Sequence, residues 1–96
     1  MAASQPLDPN AVLAAANLLR SMGATDVFVF GSAARGGMRD DSDVDMAVTG
    51  LPPRLYFSAV ARASDLIGRL VDLLDLDDPT PSVQYLVGSG DLVRVP

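Results

Sequence analysis

The stretch VFVFGSAARGGMRDDSDVDMAV, residues 27–48, limits the possible folds more than any other part of the chain. Its first half continues the segment DVFVF (26–30), whose β-branched and aromatic residues predict a strand. Phe28 and Phe30 alternate there with Val27 and Val29, as expected of a strand buried on both faces. The second half, SDVDMAV (42–48), alternates cleanly: Asp43, Asp45 and Ala47 share one face, and Val44, Met46 and Val48 share the other. About a dozen residues join the two strands, which suits an antiparallel pair holding a loop as well as a parallel crossover.

The rest of the chain supplies what such a pair needs for burial. LDPNAVLAAANLLRSMG (7–23) reads as a helix capped by Asp8, with Pro9 at its first position, Gly23 at its end and a buried stripe of Val12, Ala16 and Leu19. Residues 54–69 form the strongest helical pattern, with Tyr56, Val60, Ala63, Ile67 and then Leu70 on one stripe. LVDLLDL (70–76) predicts a third strand. A short helix is expected over 82–87, and GDLVRVP is expected to add a small edge strand. The expected fold is α/β (or α+β), a small sheet flanked by helices. The 96 residues make one domain, 1–96.

Composition removes several kinds of chemistry. The chain has no cysteine and no histidine, hence no disulfide framework, no thiolate zinc site, no cysteine nucleophile and no imidazole base. All 7 positive charges are Arg and all 12 negative charges are Asp. The net charge of -5 argues against direct nucleic-acid binding and suits a basic protein partner. The N-terminal residues lack the pattern of a secretory signal, and charges interrupt every long apolar run, so a cytoplasmic protein without a membrane span is expected.

Asp43 and Asp45, two positions apart on a strand, point the same way with Cα atoms about 6.5–7 Å apart. Two carboxylates that close repel unless a cation offsets them, and hard oxygen donors without His or Cys select Mg²⁺ or Mn²⁺. Such ions keep positions for substrate phosphates, so a nucleotide is the expected further ligand. Gly31 and Ser32, separated from Asp43 by ten residues, fit a phosphate: glycine allows close backbone approach, and serine adds a hydroxyl and an amide. No Gly-Lys-Ser/Thr follows, which excludes a Walker A loop. Asp72, inside the third strand and sharing a face with Leu74 and Leu76, is the candidate third carboxylate and general base, with Asp75 as its rival. Arg35 and Arg39 are candidates for phosphate contact. Asp40 and Asp41 read as loop charge, Ser42 as a turn residue and Tyr85 as a covering aromatic.

Gly31-Ser32, ten residues, Asp43-x-Asp45 and a later strand Asp72 together resemble the nucleotidyltransferase superfamily that includes DNA polymerase beta. In finer detail, FGSAARGGMRDDSDVDMAV followed by a helix and RLVDLLDL is similar to the minimal nucleotidyltransferases, many of which are antitoxins beside a HEPN-domain RNase toxin. The resemblance spans roughly residues 10–76. It implies a small mixed sheet and metal binding by Asp43 and Asp45. It further implies that Asp72 assists one metal and the nucleophile, and that Gly31 and Ser32 hold the triphosphate, with Arg35 at a commonly basic position. It also implies an enzyme, a protein adenylyltransferase (AMPylator), that moves AMP from ATP to a tyrosine hydroxyl of a HEPN toxin held in a hetero-oligomer. The alternatives are an antitoxin that acts by binding alone, or an adenylyltransferase acting on a small molecule.

Overall fold

The computed structural model describes residues 8–31, 34 and 43–96. Helix α1 (Pro9–Ser21) begins where Asp8 accepts a hydrogen bond from the Asn10 amide at 2.9 Å, with Pro9 supplying a φ already suited to the first turn. Strands β1 (Asp26–Val29) and β2 (Val44–Thr49) follow. A 3-10 turn (Pro53–Leu55) then leads into α2 (Tyr56–Ile67), which ends at the left-handed Gly68. Strand β3 (Val71–Asp75), helix α3 (Pro81–Ser89), capped by Thr80, and the short strand β4 (Val93–Arg94) complete the order.

The sheet order is β3-β2-β1-β4, with β1 antiparallel to both β2 and β4 and β2 parallel to β3. The sheet is therefore mixed. The β1–β2 connection takes the antiparallel option, and α2 makes the crossover that a parallel β2–β3 pair requires.

Register arranges the side chains in rows across the sheet. Val29, Met46 and Leu73 form one such row and Val27 with Val48 another; Val44 pairs with Val71. All seven are buried on one face, under Ala15, Ala16 and Leu19 of α1 and Ala59 and Ala63 of α2. The alanines are what lets the two helices approach each other closely over the sheet. Leu19 is fully buried beneath them, so Leu19→Ala should cost about 2–5 kcal/mol of unfolding free energy, measurable as a lower denaturant midpoint.

The opposite face carries Phe28, Ala47 and Leu74 in one row and Asp45 beside Asp72 in the next. Phe28 and Phe30 are only half-buried, which corrects the expectation of a strand enclosed on both faces. Helices α1 and α2 both lie on the other side, where the larger apolar surface is. Leu70 is 60 % exposed rather than part of the α2 stripe, because Gly68 turns the chain before the next helical position is reached.

Strand β3 is a sheet edge, and two of its outward backbone groups are covered by side chains of α2. The Val71 amide donates to Ser64 Oγ at 2.9 Å, and the Tyr56 hydroxyl donates to the Leu73 carbonyl. Capped this way, the edge offers a poor template for strand addition. Tyr56→Phe should lower stability by about 0.5–1.5 kcal/mol in chemical denaturation and expose the Leu73 carbonyl. Among the described residues, no helix is long and apolar enough to cross a membrane.

Candidate active site

The site grows from the row in which β2 and β3 set Asp45 opposite Asp72. Adjacent strands lie about 4.8 Å apart, so the two carboxylates start from neighbouring Cα positions on the same face. Asp43, just before β2, is exposed on that side two residues away. The apolar alternation of β2 makes this obligatory. With Val44, Met46 and Val48 committed to the core, Asp43 and Asp45 have only the opposite face.

Asp45 is the most constrained of the three. Burial raises its pKa, and the negative charges of Asp72 and Asp43 raise it further. A carboxylate held up by two like charges calls for a cation. The donor set is all hard oxygen, which suits Mg²⁺ or Mn²⁺ and does not suit a soft metal. Among the described residues, no group of three or more acidic side chains closes to metal-holding distance. The geometry therefore brings together the pair Asp45 and Asp72, with Asp43 flanking.

Gly31 stands against this pair. The Phe30 amide donates to the Asp45 carbonyl at 3.1 Å, which extends the β1–β2 pairing by one residue and delivers Gly31 to the acidic side chain. Gly31 has φ of +62°, and a Cβ there would lie 2.5 Å from Asp45 Oδ2. The backbone angle favours glycine, and any Cβ there would displace the Asp45 carboxylate. Ser32 and Arg35, the other candidates for phosphate binding, lie outside the described residues, as do Arg39, Asp40, Asp41 and Ser42.

Asp75, the rival to Asp72, pairs in register with Val48, a core residue, and its Oδ1 accepts a hydrogen bond from the Asp77 amide at 2.9 Å. Asp77 in turn accepts from the Gly50 amide at 2.6 Å, tying the end of β3 to the turn after β2. These two acids hold the turn together. Tyr56, read from sequence as a core residue, has a second part here. Its hydroxyl anchors the carbonyl next to Asp72, and burial, followed by the charges of Asp72 and Asp75, raises its pKa and keeps it a donor. The available signal was a tyrosine, rather than a leucine or phenylalanine, in the first turn of an apolar stripe.

Two cavities open on this face. One of about 640 Å³ is lined by Phe30, Asp72, Leu74, Tyr85 and Leu86 among others. A second, of about 390 Å³, runs past Gly31, Ala34, Gly90 and Asp91. Phe30 and Leu86 line both and so divide the Gly31 side from the Asp72 side. Tyr85, expected as a covering aromatic, is 77 % exposed at the mouth of the first.

The family profile described as polymerase beta, nucleotidyltransferase, matches residues 17–93. The chain belongs to that nucleotidyltransferase family. The match runs beyond β3 through α3 to β4, farther than the motif residues alone reach. No curated protein matches the chain. Among solved structures, this nucleotidyltransferase is similar to a minimal nucleotidyltransferase with 29 % identity and a TM-score of 0.68, over 86 % of this chain and 85 % of that one. It also resembles a chain from a toxin–antitoxin complex with AMP-PNP at 22 % identity, TM-score 0.73, covering 92 % of this chain and 72 % of that one. A third similarity is to a chain from the complex of tri-AMPylated HEPN toxin of Shewanella oneidensis with its MNT antitoxin, at 20 % identity and TM-score 0.63, over 90 % and 66 % of the two chains. The last two likenesses are of fold.

Proposed function

We propose that this nucleotidyltransferase moves AMP from ATP to a tyrosine hydroxyl of a partner protein, a HEPN-type RNase toxin, and thereby acts as its antitoxin. One observation carries the chemistry: Asp45 and Asp72 share a row of the sheet, with Gly31 pressed against the Asp45 carboxylate. The partner is suggested by the fold likeness to chains from toxin–antitoxin complexes, one of which contains an AMPylated HEPN toxin. The acidic net charge of -5 suits a basic partner.

In this reading Asp43 and Asp45 hold divalent metal, with Asp72 completing the site. Bound Mg²⁺ would polarise the phosphates and offset the charge that develops on them. Gly31, with Ser32 and Arg35, holds the β- and γ-phosphates, and the left-handed Gly31 lets the backbone come close without a side chain intervening. The acceptor oxygen attacks the α-phosphorus, the bond to the β-phosphate oxygen breaks, and pyrophosphate leaves. The hydroxyl proton passes to the Asp72 carboxylate. Tyr56 acts at a distance, holding the β3 backbone that carries Asp72.

The test is the intact mass of the neighbouring gene's product after incubation with this protein, ATP and Mg²⁺. AMP-sized increments on a tyrosine, lost with the Asp43→Asn/Asp45→Asn variant, are the expected result. Neutralisation of the toxin by both versions without added mass would replace transfer with binding alone.

A further inference from the structure

The cavity of about 640 Å³ on the catalytic face is bounded on one side by α3. Ser82, Tyr85 and Leu86 line it from that helix, and their spacing of three and four residues puts them on one stripe. Opposite them stand Asp72 and Leu74 of β3 and Phe30 at the end of β1. Phe30 and Asp72 are the two ends of the sheet row whose middle is Asp45. Two hydroxyls of this chain, from Ser82 and Tyr85, therefore share a cavity with the carboxylate assigned to take the acceptor's proton.

The chain has two tyrosines, and the fold uses them in opposite ways. Tyr56 is committed: its hydroxyl donates to the Leu73 carbonyl. Tyr85 is 77 % exposed, and its hydroxyl has no hydrogen-bond partner among the described residues. A phenol, with a pKa of about 10, gives up its proton more readily than a serine hydroxyl, which favours Tyr85 over Ser82 as a nucleophile. With the β- and γ-phosphates at Gly31, the α-phosphorus is left toward Asp72 and the cavity that Tyr85 lines.

We propose that Tyr85 is itself an acceptor, taking AMP from ATP within the same molecule when no partner fills the cavity. Tyr85 Oη forms a bond to the α-phosphorus, the bond from that phosphorus to the β-phosphate oxygen breaks, and pyrophosphate leaves. The phenolic proton passes to the Asp72 carboxylate. The product, an AMP ester at the cavity mouth, fills the place that an incoming acceptor needs, so self-modification opposes transfer to a partner. The inference rests on the transferase reading above for the phosphates and for Asp72.

The experiment incubates the whole protein alone with ATP and Mg²⁺ and reads intact mass and fragment masses. One AMP increment on Tyr85 is expected, with Tyr56 unmodified and no increment in Tyr85→Phe. Its rate constant should stay the same over about a hundredfold range of protein concentration, as for a reaction within one molecule. Tyr85 is exposed, so the variant keeps the fold, as a melting curve will verify. AMP on Ser82, an increment that persists in Tyr85→Phe, or a rate proportional to protein concentration overturns the proposal. Nitration by tetranitromethane locates the phenol without turnover and should take Tyr85 ahead of Tyr56. Mg²⁺ with an ATP analogue bearing a methylene between the α- and β-phosphorus, at roughly ten times its Kd, should slow nitration of Tyr85 about tenfold, in line with the fraction left unbound. Unchanged nitration under bound analogue also overturns the proposal. Repeating the mass measurement with the neighbouring gene's product separates this inference from the reading beneath it. AMP on both proteins, with the partner slowing modification of Tyr85, is expected. AMP on the partner's tyrosine and never on Tyr85 rejects self-modification and keeps the transferase. AMP on Tyr85 alone keeps self-modification and rejects that partner as acceptor, and AMP on neither rejects both.

Discussion

Replacing Asp43 and Asp45 by asparagine should slow nucleotidyl transfer by about a thousandfold or more, while the metal-free protein becomes more stable. Both effects come from the same crowding of negative charge. Transfer is lost because asparagine supplies no charge to hold a divalent cation against the phosphates, and the resulting loss of electrostatic stabilisation falls on the transition state. Stability rises because Asp45 is raised from its ordinary 3.8 by burial and by Asp72 and Asp43. A carboxyl whose folded pKa lies above its unfolded value binds more protons in the folded state between those two values. Its contribution to stability is therefore lost as pH rises through that window and recovered as pH falls, so at neutral pH the ionised group opposes folding. Asparagine removes this penalty, so in chelator the double variant should melt above the wild type. Mg²⁺ should raise the melting temperature of the wild type at neutral pH and leave the double variant unmoved. Thermal melts with EDTA or Mg²⁺, beside a single-turnover transfer assay, check both arms. A double variant less stable than wild type in EDTA would contradict this account of the charges.

Gly31→Ala should lower transfer by about a hundredfold while costing little more stability than the same change at Gly68. The two glycines have comparable backbone angles, φ +62° and +78°, so each alanine pays a similar left-handed penalty of about 1–2 kcal/mol. Their surroundings differ. A Cβ at Gly68 meets nothing within 4 Å, whereas at Gly31 it meets Asp45 Oδ2 at 2.5 Å. That oxygen is the end of a side chain and can rotate away at modest cost in stability. It cannot rotate away and still hold its place beside Asp72, and a displacement of about 1 Å in such a site is worth about a hundredfold in rate. Melting curves and transfer rates of the two variants separate the effects. Equal rates would show that the carboxylate has no fixed catalytic position.

Much of this was legible because periodicity is a local property. Val44, Met46 and Val48 against Asp43 and Asp45 is a two-residue alternation that any half-buried strand must show, and Asp8-Pro9 announces a helix start through its own backbone chemistry. The exposure of Phe28 and Phe30 was not legible in the same way. A run of four apolar residues looks alike whether one face or two are covered, and the number of helices on each side of a sheet is decided by the whole chain. Leu70 departs from the α2 stripe for a smaller reason: helical spacing from Ile67 reaches it only across Gly68, whose left-handed backbone ends the helix.

The sequence by itself determined which side chains share a face, since alternation and helical spacing are set by bond geometry within a segment. It thereby determined that Asp43 and Asp45 leave the core together and that Asp72 leaves it on its own strand. Only the tertiary structure decided that Asp72, rather than Asp75, stands beside Asp45. Parallel pairing of β2 with β3 sets that register, and the pairing depends on α2 crossing over a core built from distant residues. The contact of Gly31 with Asp45 was likewise decided in three dimensions, because it needs β1 and β2 to pair antiparallel, an orientation their short connection left open.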